Sequence, residues 1–164
     1  CSSAALLSCT MRSEARANAL VLAGSAALLG GALLSQFVGG LFPCEMCYWQ
    51  RWPHLAAIAL GLLAWAMGSN RALTALAAIA VLVSGAIGVF HAGVEYHWWE
   101  GVTTCTATPV TGTTSEVLGS IMATPLIRCD AAQWTLFGIS LAGYNAILSG
   151  LIGGGALWLL RKPR

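Results

Sequence analysis

Four stretches of the chain, roughly residues 17 to 38, 53 to 67, 72 to 90 and 134 to 160, are apolar and contain no Lys, Arg, Asp or Glu. A helix needs about 20 residues to cross the hydrocarbon core of a bilayer, with a range of roughly 17 to 25. Four such runs in 164 residues leave little chain for a separate soluble domain. Only 9% of the residues are charged and the mean hydropathy is +0.75, whereas a soluble domain usually carries about 25% charge. The expected fold is therefore an all-α membrane protein, a four-transmembrane-helix bundle with two external loops. The second run is the shortest, with Arg51, Pro53 and His54 at its start. Pro53 suits a first helical turn, where its missing N–H costs nothing, so the second helix is expected to begin there.

Lysine and arginine set the orientation. Arg12 and Arg16 precede the first run, Arg71 lies between the second and third, and Arg161, Lys162 and Arg164 follow the fourth. The other two connections hold only Arg51 and Arg128 beside five acidic residues. The positive-inside rule then puts both termini in the cytoplasm and the longer loops outside. Residues 1–16 read as a cytoplasmic N-terminal segment, 17–160 as the membrane domain and 161–164 as a basic tail. Met11 followed by Arg12 resembles a natural start, so residues 1–10, with Cys1 and Cys9, are expected to be extraneous.

The external loops carry four cysteines. Cys44 and Cys47 lie in the first, in the stretch FPCEMCYWQRW; Cys105 and Cys129 lie in the second, spanning about 93 to 133. Thiols outside the cytoplasm tend toward disulfides, and four cysteines allow three pairings. A four-cysteine zinc site normally shows two close pairs, and the 23 residues between Cys105 and Cys129 argue against one, so no metal is expected. A bridge across a two-residue gap constrains little unfolded chain and stabilises little. A redox role accounts for that spacing better, because a nearby cation or helix N-terminus lowers a thiol's pKa and lets the thiolate attack or leave.

Arg51, four residues beyond Cys47, is suited to hold a carbonyl oxygen of an electron acceptor and to stabilise charge developing there. Gln36 near the end of the first run and His91 near the end of the third lie at the depth where the first loop emerges. Each is a candidate for the same site or a helix-packing hydrogen bonder. His54 is a weaker candidate on the face of Arg51, and His97 beside Trp98 and Trp99 reads as part of an interfacial aromatic belt. In the second loop, Thr113 and Glu116 have the spacing of a capping box ahead of Val117, Leu118, Ile121 and Met122. That segment is expected to form a short interfacial helix ended by Pro125.

Taken together, the Pro43-Cys44-x-x-Cys47 and Gln50-Arg51 stretch, the Cys105 and Cys129 pair, and Arg128-Cys129-Asp130 running into Trp134, Phe137-Gly138 and Leu141-Ala142-Gly143-Tyr144-Asn145 resemble the DsbB family of bacterial inner-membrane disulfide oxidoreductases. The resemblance spans residues 17 to 160. It implies an enzyme that reoxidises a DsbA-like periplasmic thioredoxin-fold protein, passing electrons from Cys105 and Cys129 to Cys44 and Cys47. From there they would pass to ubiquinone or menaquinone, with Arg51 as the quinone-site cation. Gln36 and His91 are additional candidates beside the ring. The implied partners are that protein and membrane lipid, with no nucleic acid. Gln50 stands where the resemblance implies a different polar or acidic residue in some family members. Vitamin K epoxide reductases also pair a Cys-x-x-Cys with four spans but usually carry it near the end of a late span. A stapled, non-enzymatic scaffold remains the alternative from a different class.

Overall fold

The computed structural model describes residues 3–102 and 128–161, with side chains from 13 onward in the first helix. Four helices run through it: α1 (Ser3–Phe37), α2 (Glu45–Ala66), α3 (Arg71–Glu95) and α4 (Leu141–Arg161). Between α3 and α4, the strands β1 (Thr135–Leu136) and β2 (Ile139–Ser140) form a small antiparallel hairpin. Among the described residues three segments are long and apolar enough to cross a membrane, Ser13–Phe37, Arg71–Glu95 and Leu141–Arg161, and α2, the fourth expected span, is not one of them. The short helix expected in the second loop lies outside the described residues, as do Cys1 and Cys105.

Three helix starts differ from expectation, and the first is α1, which begins at Ser3 within the segment expected to precede the first span. Helix α2 begins at Glu45, eight residues before Pro53, and carries that proline in its interior. Cys44 caps it: its extended backbone lets its sulfur accept from the N–H of Cys47 at 3.4 Å. This satisfies one of the donors that a helix N-terminus leaves open. Cys47 and Arg51 thus stand on the first two turns of a helix rather than in a loop, while Pro53 leaves the Trp49 carbonyl without its usual helical donor. Helix α4 begins at Leu141 rather than Trp134, because the chain first turns through Phe137 and Gly138, both at positive φ (50° and 76°). Tyr96 fastens this hairpin to the end of α3, its hydroxyl donating to the Gly138 carbonyl and accepting from the Ser140 N–H, both at 2.8 Å.

The bundle has two unlike ends. At one, Ala17, Val21, Ala57, Ala77, Ala78, Val81, Ala156 and Leu160 form a core of small apolar side chains. Exposed Arg16, Arg71 and Arg161 adjoin that core in sequence. At the other end, Cys44, Met46, Val94 and Cys129 make a second buried cluster. Small residues let the backbones close up, which is how helices pack when lipid removes any hydrophobic drive between them. A Cβ on Gly88 would lie 3.0 Å from the Ala142 carbonyl oxygen and 3.1 Å from Asn145 Nδ2. Glycine here lets α4 press against α3 and brings Asn145 to the level of the cysteines.

Candidate functional site

Cys44 and Cys47 are free thiols whose sulfurs lie 3.1 Å apart, with the Cys44 S–H donating to Cys47. That hydrogen bond and burial push the Cys44 thiol well above the usual thiol range. Cys129 is held in a disulfide. It is buried in the same cluster as Cys44, so the second loop returns against the first. Gln133 secures that return by donating to the Phe42 carbonyl at 2.6 Å. On the exposed side, Arg128 grips Asp130 through two hydrogen bonds of 2.9 and 2.6 Å. The guanidinium holds the Asp130 carboxyl at about 2, below the ordinary carboxylate range.

Arg51 comes from the second turn of α2 and reaches α1. It donates to Gln36 Oε1 at 2.6 Å and to the Ala32 carbonyl at 3.4 Å, and lies 5.1 Å from the centre of the Tyr48 ring. Its Nε–H is buried with no partner among the described residues. A buried donor left unpaired costs roughly 1–3 kcal/mol, so the site is suited to a ligand that brings an acceptor. Arg51, Cys44, Cys47 and His91 all line one cavity of about 260 Å³. Ala27, Leu28, Leu41, Phe42, Leu141 and Leu148 supply its apolar walls. Arg128 also reaches the lining but is paired with Asp130, so the chamber is apolar with the Arg51 cation beside a thiol, which suits a flat molecule with a carbonyl oxygen and a hydrocarbon tail.

His91 stands beside the thiols, its Nε2 3.5 Å from Cys44 Sγ and 3.7 Å from Glu95 Oε1. The Cys129 backbone also hydrogen bonds to the ring. Of the residues singled out in the sequence, Cys44, Cys47, Cys129, Arg51 and His91 converge here, and Gln36 joins them through Arg51. Cys105 lies outside the described residues. His54 is turned into the bundle, where its Nε2 meets Asn145 Oδ1 at 3.0 Å. His97 occupies the left-handed turn after α3, at φ 59°, its Nδ1 3.2 Å from the Val94 carbonyl.

Sequence reasoning left three residues of this centre without a role. Gln50 is buried against His91, with its Nε2 2.8 Å from His91 Nδ1. Asn145 donates to Gln50 Oε1 at 2.8 Å. Glu95 ends α3 with one carboxylate oxygen buried and unpartnered among the described residues. Asn145 did carry a usable signal: a lone amide inside an apolar span, where polar groups are expensive and tend to mark function.

The family model described as "Disulfide bond formation protein DsbB" matches residues 14–159. A disulfide bond formation protein B from Polaromonas naphthalenivorans is 30% identical over 90% of this chain and 91% of its own length. Its namesake from Verminephrobacter eiseniae is 28% identical over 87% and 83%. An uncharacterized protein of Rickettsia prowazekii is 23% identical over 80% and 79%. No solved structure matches the chain.

Proposed function

Because the chain belongs to the DsbB family of disulfide bond formation proteins, we propose that it oxidises a DsbA-like thioredoxin-fold partner outside the cytoplasm and delivers the electrons to a membrane quinone. The observation that carries this reading is the cavity where the thiols of Cys44 and Cys47 meet the buried, unpartnered Nε of Arg51 among apolar walls. A quinone bound there would accept two electrons and two protons for each disulfide made. Arg51 Nε would donate to a ring carbonyl, with Gln36 orienting the guanidinium from α1.

In the proposed relay the partner's thiolate attacks the Cys105–Cys129 disulfide, and that pair, once reduced, is reoxidised by the Cys44–Cys47 disulfide. The packing of Cys129 against Cys44 supports the second exchange, since a thiolate must reach a sulfur of the disulfide it attacks. Cys47, next to Arg51 on α2, would then hold the charge facing the acceptor, while Cys44 exchanges with the second loop. Ubiquinone and menaquinone both meet these requirements. The lysine and arginine distribution supports an inner-membrane orientation with both termini cytoplasmic and the cysteines periplasmic.

The test is turnover by the purified protein in detergent with a reduced thioredoxin-fold dithiol and a soluble quinone, followed by quinone absorbance. Quinone loss that requires both cysteine pairs and weakens in affinity with Arg51→Ala is the expected result. A well-folded protein that consumes no quinone would leave a disulfide-stapled scaffold as the better account.

A further inference from the structure

Behind the thiols, a row of buried polar side chains crosses three helices, and its hydrogen bonds all run one way. Two backbone carbonyls fix that direction. Asn145 Nδ2 lies 3.2 Å from the Ser84 carbonyl oxygen and Gln50 Nε2 lies 3.2 Å from the Met46 carbonyl oxygen. A carbonyl only accepts, so each amide must turn its NH₂ group that way. Asn145 therefore offers Oδ1 to His54, whose Nε2–H donates at 3.0 Å, and donates from Nδ2 to Gln50 Oε1 at 2.8 Å. Gln50 in turn donates to His91 Nδ1 at 2.8 Å. With Nδ1 accepting, neutral His91 carries its proton on Nε2, where Cys44 Sγ at 3.5 Å shares it with the Cys129 backbone and Glu95 Oε1 at 3.7 Å. The Cys44 S–H then points at Cys47, 3.1 Å away.

We propose that Gln50 and Asn145 are positioning residues for the redox pair: by fixing the tautomer of His91 they aim a hydrogen bond at Cys44, which stabilises the negative charge of the reduced pair, whose one remaining proton lies between the two sulfurs. Reduction of the Cys44–Cys47 disulfide then takes up two electrons and one proton, and successive donors polarise one another toward the sulfur that holds the charge. A reduced form stabilised in this way makes the pair a stronger oxidant. This deepens the redox reading of the pair, and it assigns a use to buried residues that the electron path alone leaves idle. Arg51 on α2, Glu95 on α3, Tyr144 on α4 and Arg128 of the second loop are the other charged or titratable groups around the cavity; α1 contributes none to its lining. All of them stay in place in the comparisons below.

The test needs neither quinone nor partner, so it stands apart from the test of the electron path. In full-length protein carrying Cys1→Ser, Cys9→Ser, Cys105→Ser and Cys129→Ser, the remaining pair is equilibrated with reduced and oxidised glutathione, and its thiolate absorbance is titrated against pH. Gln50→Met is expected to shift the equilibrium constant about tenfold toward the disulfide, which is about 30 mV for two electrons, and to move the thiolate titration to higher pH. Asn145→Leu moves both in the same direction by a smaller factor, and His54→Phe by less again. His91→Leu removes the donor at Nε2 outright, so it also favours the disulfide. If Gln50→Met does not fold, a folded His91→Leu protein that keeps the parent's equilibrium constant decides against the proposal. A folded Gln50→Met protein that melts earlier yet keeps the parent's equilibrium constant and titration would overturn the proposal and leave the row a packing device.

Discussion

The two ends of the bundle use opposite materials to solve the same packing problem. At the end marked by Arg16, Arg71 and Arg161, alanines and valines fill the space between helices. At the cysteine end, α2, α3 and α4 meet through Gln50, Ser84, His91 and Asn145, with a cavity beside them. Interhelical hydrogen bonds in a bilayer average only about 0.6 kcal/mol, and buried polar groups cost more than that wherever a partner is missing. Among the described residues, three such atoms at the cysteine end, Arg51 Nε, His54 Nδ1 and Glu95 Oε2, are unpartnered, against Asn18 Oδ1 beside the apolar core and Ser25 Oγ farther along α1. An apolar core would hold the helices together at least as well, so the polar end is organised for chemistry and the apolar end for cohesion.

The sharpest break in this contrast comes from the sulfurs. Cys44→Ser should abolish turnover with a dithiol partner and a quinone, measured as quinone bleaching, while the melting temperature stays close to that of the parent with its free thiols. Arg51→Ala should lower kcat/KM for quinone by ~10²-fold, the usual effect of removing one fixed charge-stabilising donor, as steady-state kinetics over a range of quinone concentrations will reveal. At the apolar end the same scale of intervention should act differently. Ala78, fully buried there, has no room to grow, so Ala78→Leu should remove about 1–3 kcal/mol of stability in thermal or denaturant melts and leave the per-molecule turnover of folded protein intact. A large kinetic effect at Ala78, or a purely stability effect at Arg51, would dissolve the division between the ends.

The smallest effect concerns the exposed Arg128–Asp130 pair. Asp130 titrates lower in the folded protein than its ordinary value of 3.8, at about 2. A depressed carboxylate contributes stability that is present above its unfolded pKa and lost as pH falls through the folded one. Acidification from pH 4 to 2 should therefore loosen this corner of the second loop, and Asp130→Asn should remove that part of the pH dependence of melting. Because both side chains are about half exposed, solvent screening keeps the contribution small.

Much of this was legible in one dimension. Runs of apolar residues placed the ends of α1 and α4 and the start of α3 to within a residue, and the Cys-x-x-Cys with Arg51 pointed to the candidate site. The start of α2 was misplaced because a proline at a first turn is a common signal, whereas a cysteine acting as a helix cap is not. The start of α4 was misplaced because Trp134 to Ser140 is as apolar as the helix it precedes, and only the positive φ at Phe137 and Gly138 reveals a turn. The polar row escaped notice for a deeper reason. Gln50 and Asn145 are 95 positions apart, and no local pattern tells which residues of different helices share a level in the bundle. The closeness allowed by Gly88 creates that pairing, and it becomes visible only in three dimensions.

The central claim is that electrons leave the protein through Cys44 and Cys47 beside Arg51. The most direct measurement mixes fully reduced protein with one equivalent of soluble quinone without oxygen and follows a single turnover. The account predicts that Cys105→Ser/Cys129→Ser protein still bleaches the quinone and forms the Cys44–Cys47 disulfide, whereas Cys44→Ser/Cys47→Ser protein with the second-loop pair intact does not. Bleaching that survives without Cys44 and Cys47, or fails when only the second-loop pair is missing, would contradict it.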